Sequence, residues 1–315
     1  MSGMAYSGFS QIARGTFPFA KLCGAGNDFI VVQATDVVQA AGVALADGAT
    51  LHESTIVRLC DRRYGIGADG LMIMKPGTGN VAFEVDFYNA DGSGGMLCGN
   101  GARCAIERAR TLGLVRAGER IRFRFAGANY AGVSLAEGLA RFDLDPLFRM
   151  DEPRTIRVGD LTLRGRFADV GSLHFVIDIG AILDSDGSHA FADIDAVPLD
   201  TLGQAVRHHA DFGAKGVNAN FTELRGKRLF VRTFERGVEA ETLACGTGST
   251  SSALVRWRDG LADPPVTVVA RSGDELIIEF DTPKESPVQP GAWTAPRLSL
   301  TGPAFVSFEG QVPFF

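Results

Sequence analysis

The sequence contains no run approaching the ~20 consecutive apolar residues of a membrane-spanning helix, which excludes a helical membrane protein. It also lacks an excess of positive charge. With a formal net charge of −6 and an isoelectric point near 5.4, no basic face for nucleic acid or an anionic membrane surface is expected. The expected partner is a small molecule. Cysteine is scarce: there are five, an odd number, with no C-x-x-C pair. With no basic-then-apolar leader at the start, this usage argues against a disulfide-stapled secreted domain and for a reducing compartment, so the expected location is the cytoplasm. A zinc site lacks its ligand spacing. Cys98 and Cys104 stand six apart, and His208 and His209 fall on an expected helix with no paired cysteine motif, so no metal is expected. Residues 1–17, with no acid and one Arg, faintly resemble a transit peptide and are read as an N-terminal extension.

What is present suits an ordinary globular protein. Its 315 residues are 45% hydrophobic and 22% charged, enough for a full core and for two domains at ~150 residues each. Short alternating or apolar runs such as "FIVV", "VAFEVDFY", "IRFRF", "RLFVRTF" and "ELIIEF" predict strands. Four helices are expected, near 51–63, 98–112, 199–211 and 245–259. Strand following strand implies mainly antiparallel pairing, so the expected class is α+β. The Pro- and acid-rich "LDPLFRMDEPR" reads as a loop dividing the chain near residue 150. This gives a first half at 18–149 and a second at 150–305, with a terminal strand at 306–315 packing back on the first.

Each half carries one cysteine turn at the mouth of a helix: "CGNG" at 98–101 and "CGTG" at 245–248. Small residues let a ligand or a second backbone approach closely, and the free N–H groups with the helix dipole favour an anion. Such a position is expected to lower a thiol pKa. "CGAG" at 23–26 differs, because a strand, "NDFIVVQ", follows Cys23. Two thiols at two facing helix mouths suit one chemistry. One thiolate takes a proton from a carbon while the opposite thiol delivers one to the other face, inverting the centre. That is a racemase or epimerase, with the substrate carboxylate resting on the helix amides.

The blocks "AKLCGAGNDFIVV", "RRYGIGADGLMIM", "FYNADGSGGMLCGNGARC", "GVNANF" and "FERGVEAETLACGTGS" resemble the diaminopimelate epimerase family, in order and across about residues 18–315. The resemblance implies a cofactor-independent enzyme of lysine and peptidoglycan synthesis that converts L,L- to meso-diaminopimelate. It implies two pseudo-symmetric halves, each a mainly antiparallel sheet wrapped around a central helix, with the active site in the cleft between them. It makes Cys98 and Cys245 catalytic. Asn27, Asn89 and Asn218 would hold the substrate's polar ends, Glu235 and Arg236 its ammonium and carboxylate, and Gly99, Asn100, Gly246 and Thr247 would offer backbone amides.

The chain departs from the family pattern at three places. Cys23 stands where His is common, "GSLH" at 171–174 where Asn-Pro-His is usual, and the segment from Arg236 to Cys245 is one residue longer. Ser172 would then replace an Asn contact, on a loop that lacks the stiffening Pro. A racemase of hydroxyproline or histidine, a dithiol redox protein and a non-catalytic binding protein remain alternatives at this point. A homodimer is also left open.

Overall fold

A computed structural model describes residues 15–41, 51–95, 97–144, 147–281, 292–294 and 297–313. Most of the expected N-terminal extension, residues 1–14, and the last two residues of the expected terminal strand lie outside these. The first strand, β1 (Thr16–Gly24), begins within that extension and buries Phe17 completely. β1 runs antiparallel to β2 (Asn27–Gln33), and α1 (Ala34–Ala41) and α2 (Glu53–Cys60) carry the chain to β3 (Gly70–Pro76). β3 is parallel to β2 and antiparallel to β4 (Phe83–Asn89). α3 (Gly99–Thr111) leads to β5 (Arg120–Phe125), parallel to β4, and antiparallel β6 (Ala128–Ala136) and β7 (Leu139–Asp143) follow.

The same plan then recurs. After β8 (Leu147–Met150) and β9 (Arg154–Val158), β10 (Leu161–Asp169) pairs antiparallel with β11 (Leu173–Leu183). A helical turn at 199–203 and α4 (Gln204–Arg207) cross to β12 (Asn218–Arg225), parallel to β11 and antiparallel to β13 (Arg228–Glu235). Short β14 (Ala240–Thr242) and α5 (Gly246–Arg258) precede β15 (Val266–Val269), which is parallel to β13, and antiparallel β16 (Glu275–Phe280). After β17 (Ala292–Thr294), β18 (Leu298–Pro303) pairs with β16. Pairing therefore follows antiparallel, parallel, antiparallel, parallel, antiparallel, antiparallel in both halves. β18 also pairs with β7, and β19 (Phe305–Pro313) returns to pair with β1, so the strands form one continuous sheet.

The fold is α+β with two pseudo-symmetric halves. Pairing is mainly antiparallel, and each parallel pair occurs where a helical segment intervenes, because parallel strands need a crossover long enough to return the chain to the same end. Three features of the sequence reading change. Leu147–Met150, expected within a dividing loop, is a strand with Phe148 and Met150 buried. The Pro and acidic residues around it had masked a period of two. The third expected helix is broken into a helical turn and the four residues of α4, and α1 was not expected at all.

Both central helices end alike, at C-caps Leu112 (φ −80°, ψ −3°) and Asp259 (φ −80°, ψ 0°), each followed by a left-handed glycine, Gly113 and Gly260. α3 buries Ala102, Cys104, Ala105, Ile106 and Ala109, and α5 buries Ala253, Leu254 and Val255. These faces belong to one apolar core that includes Phe123, Phe125, Phe142, Leu276 and Ile278. By area, each such Phe contributes on the order of 2–3 kcal/mol. Two outer clusters cover the opposite sheet faces, one with residues of α1 and α2 and the other with residues of α4. The central helices share one core and meet each other, which brings their N-termini together.

Candidate active site

The duplicated turn produces duplicated geometry. Cys98 is the N-cap of α3 at φ −118°, ψ 111°, and its sulfur accepts from the Gly101 N–H at 3.5 Å. Cys245 is the N-cap of α5 at φ −116°, ψ 111°, and its sulfur accepts from the Gly248 N–H at 3.4 Å. The two mouths touch. Asn100 Nδ2 donates to the Ala244 carbonyl at 3.2 Å, and a Cβ at Gly246 would lie 3.6 Å from Asn100 Oδ1 and 3.9 Å from Gly99 Cα. Gly248 cannot be larger, since a Cβ there would come 2.5 Å from Asn220 Oδ1.

Contrary to the expected lowering, both thiols are raised. Burial pushes Cys98 up to about 11, with the Gly101 N–H pulling against it and Glu235 adding to the rise. Burial pushes Cys245 higher still, and Glu235 adds again, against the Thr247 hydroxyl and the Gly248 N–H. Cys98 stays partly exposed and Cys245 is buried, and one helix end offers roughly half a charge, too little to offset their desolvation. A thiolate here requires a nearby proton acceptor. The Glu235 carboxyl, itself raised by burial, acts on both thiols and accepts from the Thr242 hydroxyl at 3.0 Å. A proton moving from either thiol to Glu235 leaves the buried charge count unchanged, so the exchange costs far less than ionising either group alone.

Other candidates gather around these mouths. Thr247 Oγ1 is 3.6 Å from the Cys245 sulfur. Asn27 Oδ1 accepts from Asn100 at 2.6 Å, and its Nδ2 donates to Asp69 at 2.9 Å. Asp69 belongs to an ion cluster with Arg62, Asp28 and Lys21. There burial pushes the Asp28 carboxyl up, but hydrogen bonds from Arg62 and Lys21 outweigh it and hold it at about 2. Asn218 Nδ2 donates to Ser172 Oγ at 3.0 Å and to the Leu173 carbonyl at 2.8 Å, while its Oδ1 accepts from the Arg236 N–H at 2.8 Å. Ser172, Asn218 and Arg236 are thus one unit, and the Arg236 guanidinium has no acidic partner among the described residues. Asn89 stands apart in an exposed turn, its Nδ2 donating to Ser93 Oγ at 3.0 Å, and no hydrogen bond among the described residues joins it to the rest. Among the described residues, no three or more His, Cys, Asp or Glu side chains are grouped to hold a metal ion.

The chain matches the family model described as "Diaminopimelate epimerase" over residues 19–130. It is 35% identical over 298 residues to the diaminopimelate epimerase of Aquifex aeolicus, covering 93% of this chain and 97% of that one. The chain belongs to the diaminopimelate epimerase family. A second relative, the diaminopimelate epimerase of Chlorobaculum tepidum, is 32% identical over 297 residues, covering 92% of this chain and 99% of that protein. Among solved structures, a hydroxyproline epimerase from Agrobacterium vitis matches with a TM-score of 0.66 at 13% identity, covering 95% of this chain and 93% of that one. That likeness concerns the fold. Membership makes the chain an isomerase of the amino-acid epimerase type.

Sequence reasoning overlooked two members of this neighbourhood. Arg103 sat unremarked inside "CGNGARC", and Asn220 inside "GVNANF". Asn220 Oδ1 accepts from the Thr233 hydroxyl at 2.8 Å, which assigns its Nδ2 as donor to His174 Nδ1 at 2.9 Å. The proton of neutral His174 is therefore on Nε2, which has no partner among the described residues. Burial holds His174 down at about 3. An unfolded histidine titrates near 6.5, so below that pH the unfolded chain binds the extra proton. The stability contributed by neutral His174 is then lost as pH falls from 6.5 toward 3. Between pH 7 and 4 the loss should be on the order of 3 kcal/mol. Denaturant unfolding of wild type and His174→Gln at both pH values checks this, and equal pH slopes in the two proteins would exclude His174 as the source.

Proposed function

We propose that this enzyme interconverts L,L- and meso-diaminopimelate without a cofactor, by a two-thiol inversion at the α-carbon. The observation that supports it best is the matched pair of cysteine caps on touching helix mouths, with Glu235 in reach of both thiols' fields. One cysteine, as thiolate, takes the α-proton and becomes a thiol. The electron pair left on carbon delocalises into the adjacent carboxylate, whose growing charge is met by the amides at Gly99, Asn100, Gly246 and Thr247. The opposite thiol gives its proton to the other face and becomes the thiolate. Glu235 and Arg236 would take the substrate's ammonium and carboxylate, with Asn27, Ser172 and Asn218 around them and Asn89 joining from its separate turn.

The same reading divides the chain at residue 150 into two halves facing a substrate cleft, with residues 306–315 belonging structurally to the first. The pairing of β19 with β1 supports that assignment. A cytoplasmic location fits five free thiols, and no helix among the described residues is long and apolar enough to cross a membrane. A homodimer is included, supported by exposed Phe305 and Phe308 on β19.

The test is turnover in heavy water without added cofactor. With separate acids on opposite faces, product should acquire solvent deuterium at the inverted carbon while substrate recovered early stays largely unlabelled. A single base would label both. Early labelling of unreacted substrate, or retention of the original hydrogen in product, would contradict the two-thiol scheme.

A further inference from the structure

Arg103 heads the fully buried side chains of the described residues in volume, and its exposure is 0%. It lies on α3, five residues after Cys98. Among the described residues its guanidinium touches only neutral acceptors: Nη1 donates to the Gly99 carbonyl at 3.3 Å, Nη2 to Asn100 Oδ1 at 2.8 Å, and Nε has no partner. The acid that acts on it, Asp274, does so through space without an ion pair. A buried cation without a counter-ion is costly, and burial pushes this guanidinium down to about 10, which leaves it charged at neutral pH.

The second half shows that the backbone contact alone does not require a charge. Five residues after Cys245 stands Thr250, whose hydroxyl donates to the Gly246 carbonyl at 2.9 Å. That carbonyl corresponds to the one Arg103 holds in α3. The two helices agree in cap geometry, length and C-cap, and differ here in having a cation in one and a neutral hydroxyl in the other. The acid nearby, Glu235, acts on both thiols and so does not distinguish them.

Resting on the two-thiol reading above, we propose that Arg103 is a positioning residue that makes Cys98, rather than Cys245, the first of the two thiols to give up its proton. Its charge acts on Cys98 from one side, while Glu235 opposes ionisation and the Gly101 and Asn100 amides favour it. Cys245 faces Glu235 and Cys98, so a thiolate already at Cys98 disfavours a second one there. The other groups facing Arg103 are Cys104, Cys98 and Asp274. Arg103 also acts through Asn100, whose Nδ2 reaches Asn27 Oδ1 and the Ala244 carbonyl next to Cys245. One guanidinium thus biases the proton and steadies the gap between the two mouths. An isomer whose α-hydrogen faces Cys98 meets its base directly, and the other requires the proton to be redistributed first.

The experiment is iodoacetamide labelling of the full-length protein across pH, with Cys98 and Cys245 peptides quantified separately by mass spectrometry. Wild type should label Cys98 with the lower pH midpoint. In Arg103→Met, the Cys98 midpoint should rise by a unit or more, a tenfold slower labelling at a given pH below it, while that of Cys245 stays put. Arg103→Lys, which keeps the charge, should recover most of the difference. Thermal melting shows whether each variant is folded. A Cys98 midpoint unmoved in folded Arg103→Met, or both midpoints moving together, overturns the assignment. Should the neutral variant not fold, earlier labelling of Cys245 in wild type overturns it equally. Labelling needs no turnover, so a failure here is distinct from failure of the two-thiol reaction, which the cysteine variants report.

Discussion

Replacing either Cys98 or Cys245 by serine will lower kcat by on the order of 10³-fold or more, within the range by which a positioned acid or base accelerates proton transfer. Both cysteines sit at helix caps whose geometry agrees within 2° in φ, and a serine hydroxyl caps a helix at least as well as a thiol. Folding should therefore survive while chemistry fails, because a hydroxyl is too weak an acid to give up its proton in a site that already drives thiols upward. The other cysteines provide the controls. Cys60, pushed up to about 12 chiefly by burial, and Cys23, on strand β1, should tolerate serine with activity close to wild type. Cys104→Ser should lose some stability, being fully buried beside Gly24, yet keep its rate per folded molecule. Circular dichroism with steady-state kinetics on the five variants is sufficient. Near-normal turnover by Cys98→Ser or Cys245→Ser would remove the two-thiol mechanism.

Much of the fold was legible because it was written twice. Both cysteine turns open helices of small residues, and that local signal needs only propensity and spacing. Strand β8 escaped notice because four residues flanked by Pro and acids carry too little alternation, and the burial of Phe148 comes from partners distant in sequence. The site was legible in its residue types and less so in its electrostatics. A helix mouth read from sequence suggests a lowered thiol, but the cost of desolvation depends on what the rest of the chain packs around it. The same holds for His174 and Asn220, brought together by the parallel pairing of β11 with β12. Arg103 shows the limit most clearly. From sequence it is one more basic residue on a helix, and only the fold reveals that it is buried without a counter-ion.

Substrate choice should turn on Arg236. The paired helix mouths already offer one anion site at the reacting carbon, so a second cation nearby implies a ligand with a second carboxylate. Arg236 is half-buried, its N–H fixed by Asn218, and its guanidinium is without an acidic partner among the described residues. The same Asn218 ties it to Ser172 and Leu173, so the side chain is presented from a braced strand end. L-lysine keeps the α-amino-acid end of diaminopimelate but lacks the distal carboxylate. It would leave this half-buried guanidinium unmatched, a cost toward the lower end of the ~2–5 kcal/mol for one member of a buried charge pair. Its kcat/KM should accordingly fall at least about thirtyfold below that of L,L-diaminopimelate. Arg236→Lys should also lose most of its kcat/KM toward diaminopimelate, since an ammonium cannot make the two-pronged contact with a carboxylate. Arg236→Met should narrow the gap between the two substrates, because removing the cation removes the penalty specific to lysine. Turnover of L,L-diaminopimelate, L-lysine, L-histidine and hydroxyproline at equal concentration, in wild type and both variants, makes the comparison. Equal turnover of any of the other three by wild type would keep the epimerase and displace its proposed substrate, whereas an unchanged gap in Arg236→Met would move the distal carboxylate to a different residue.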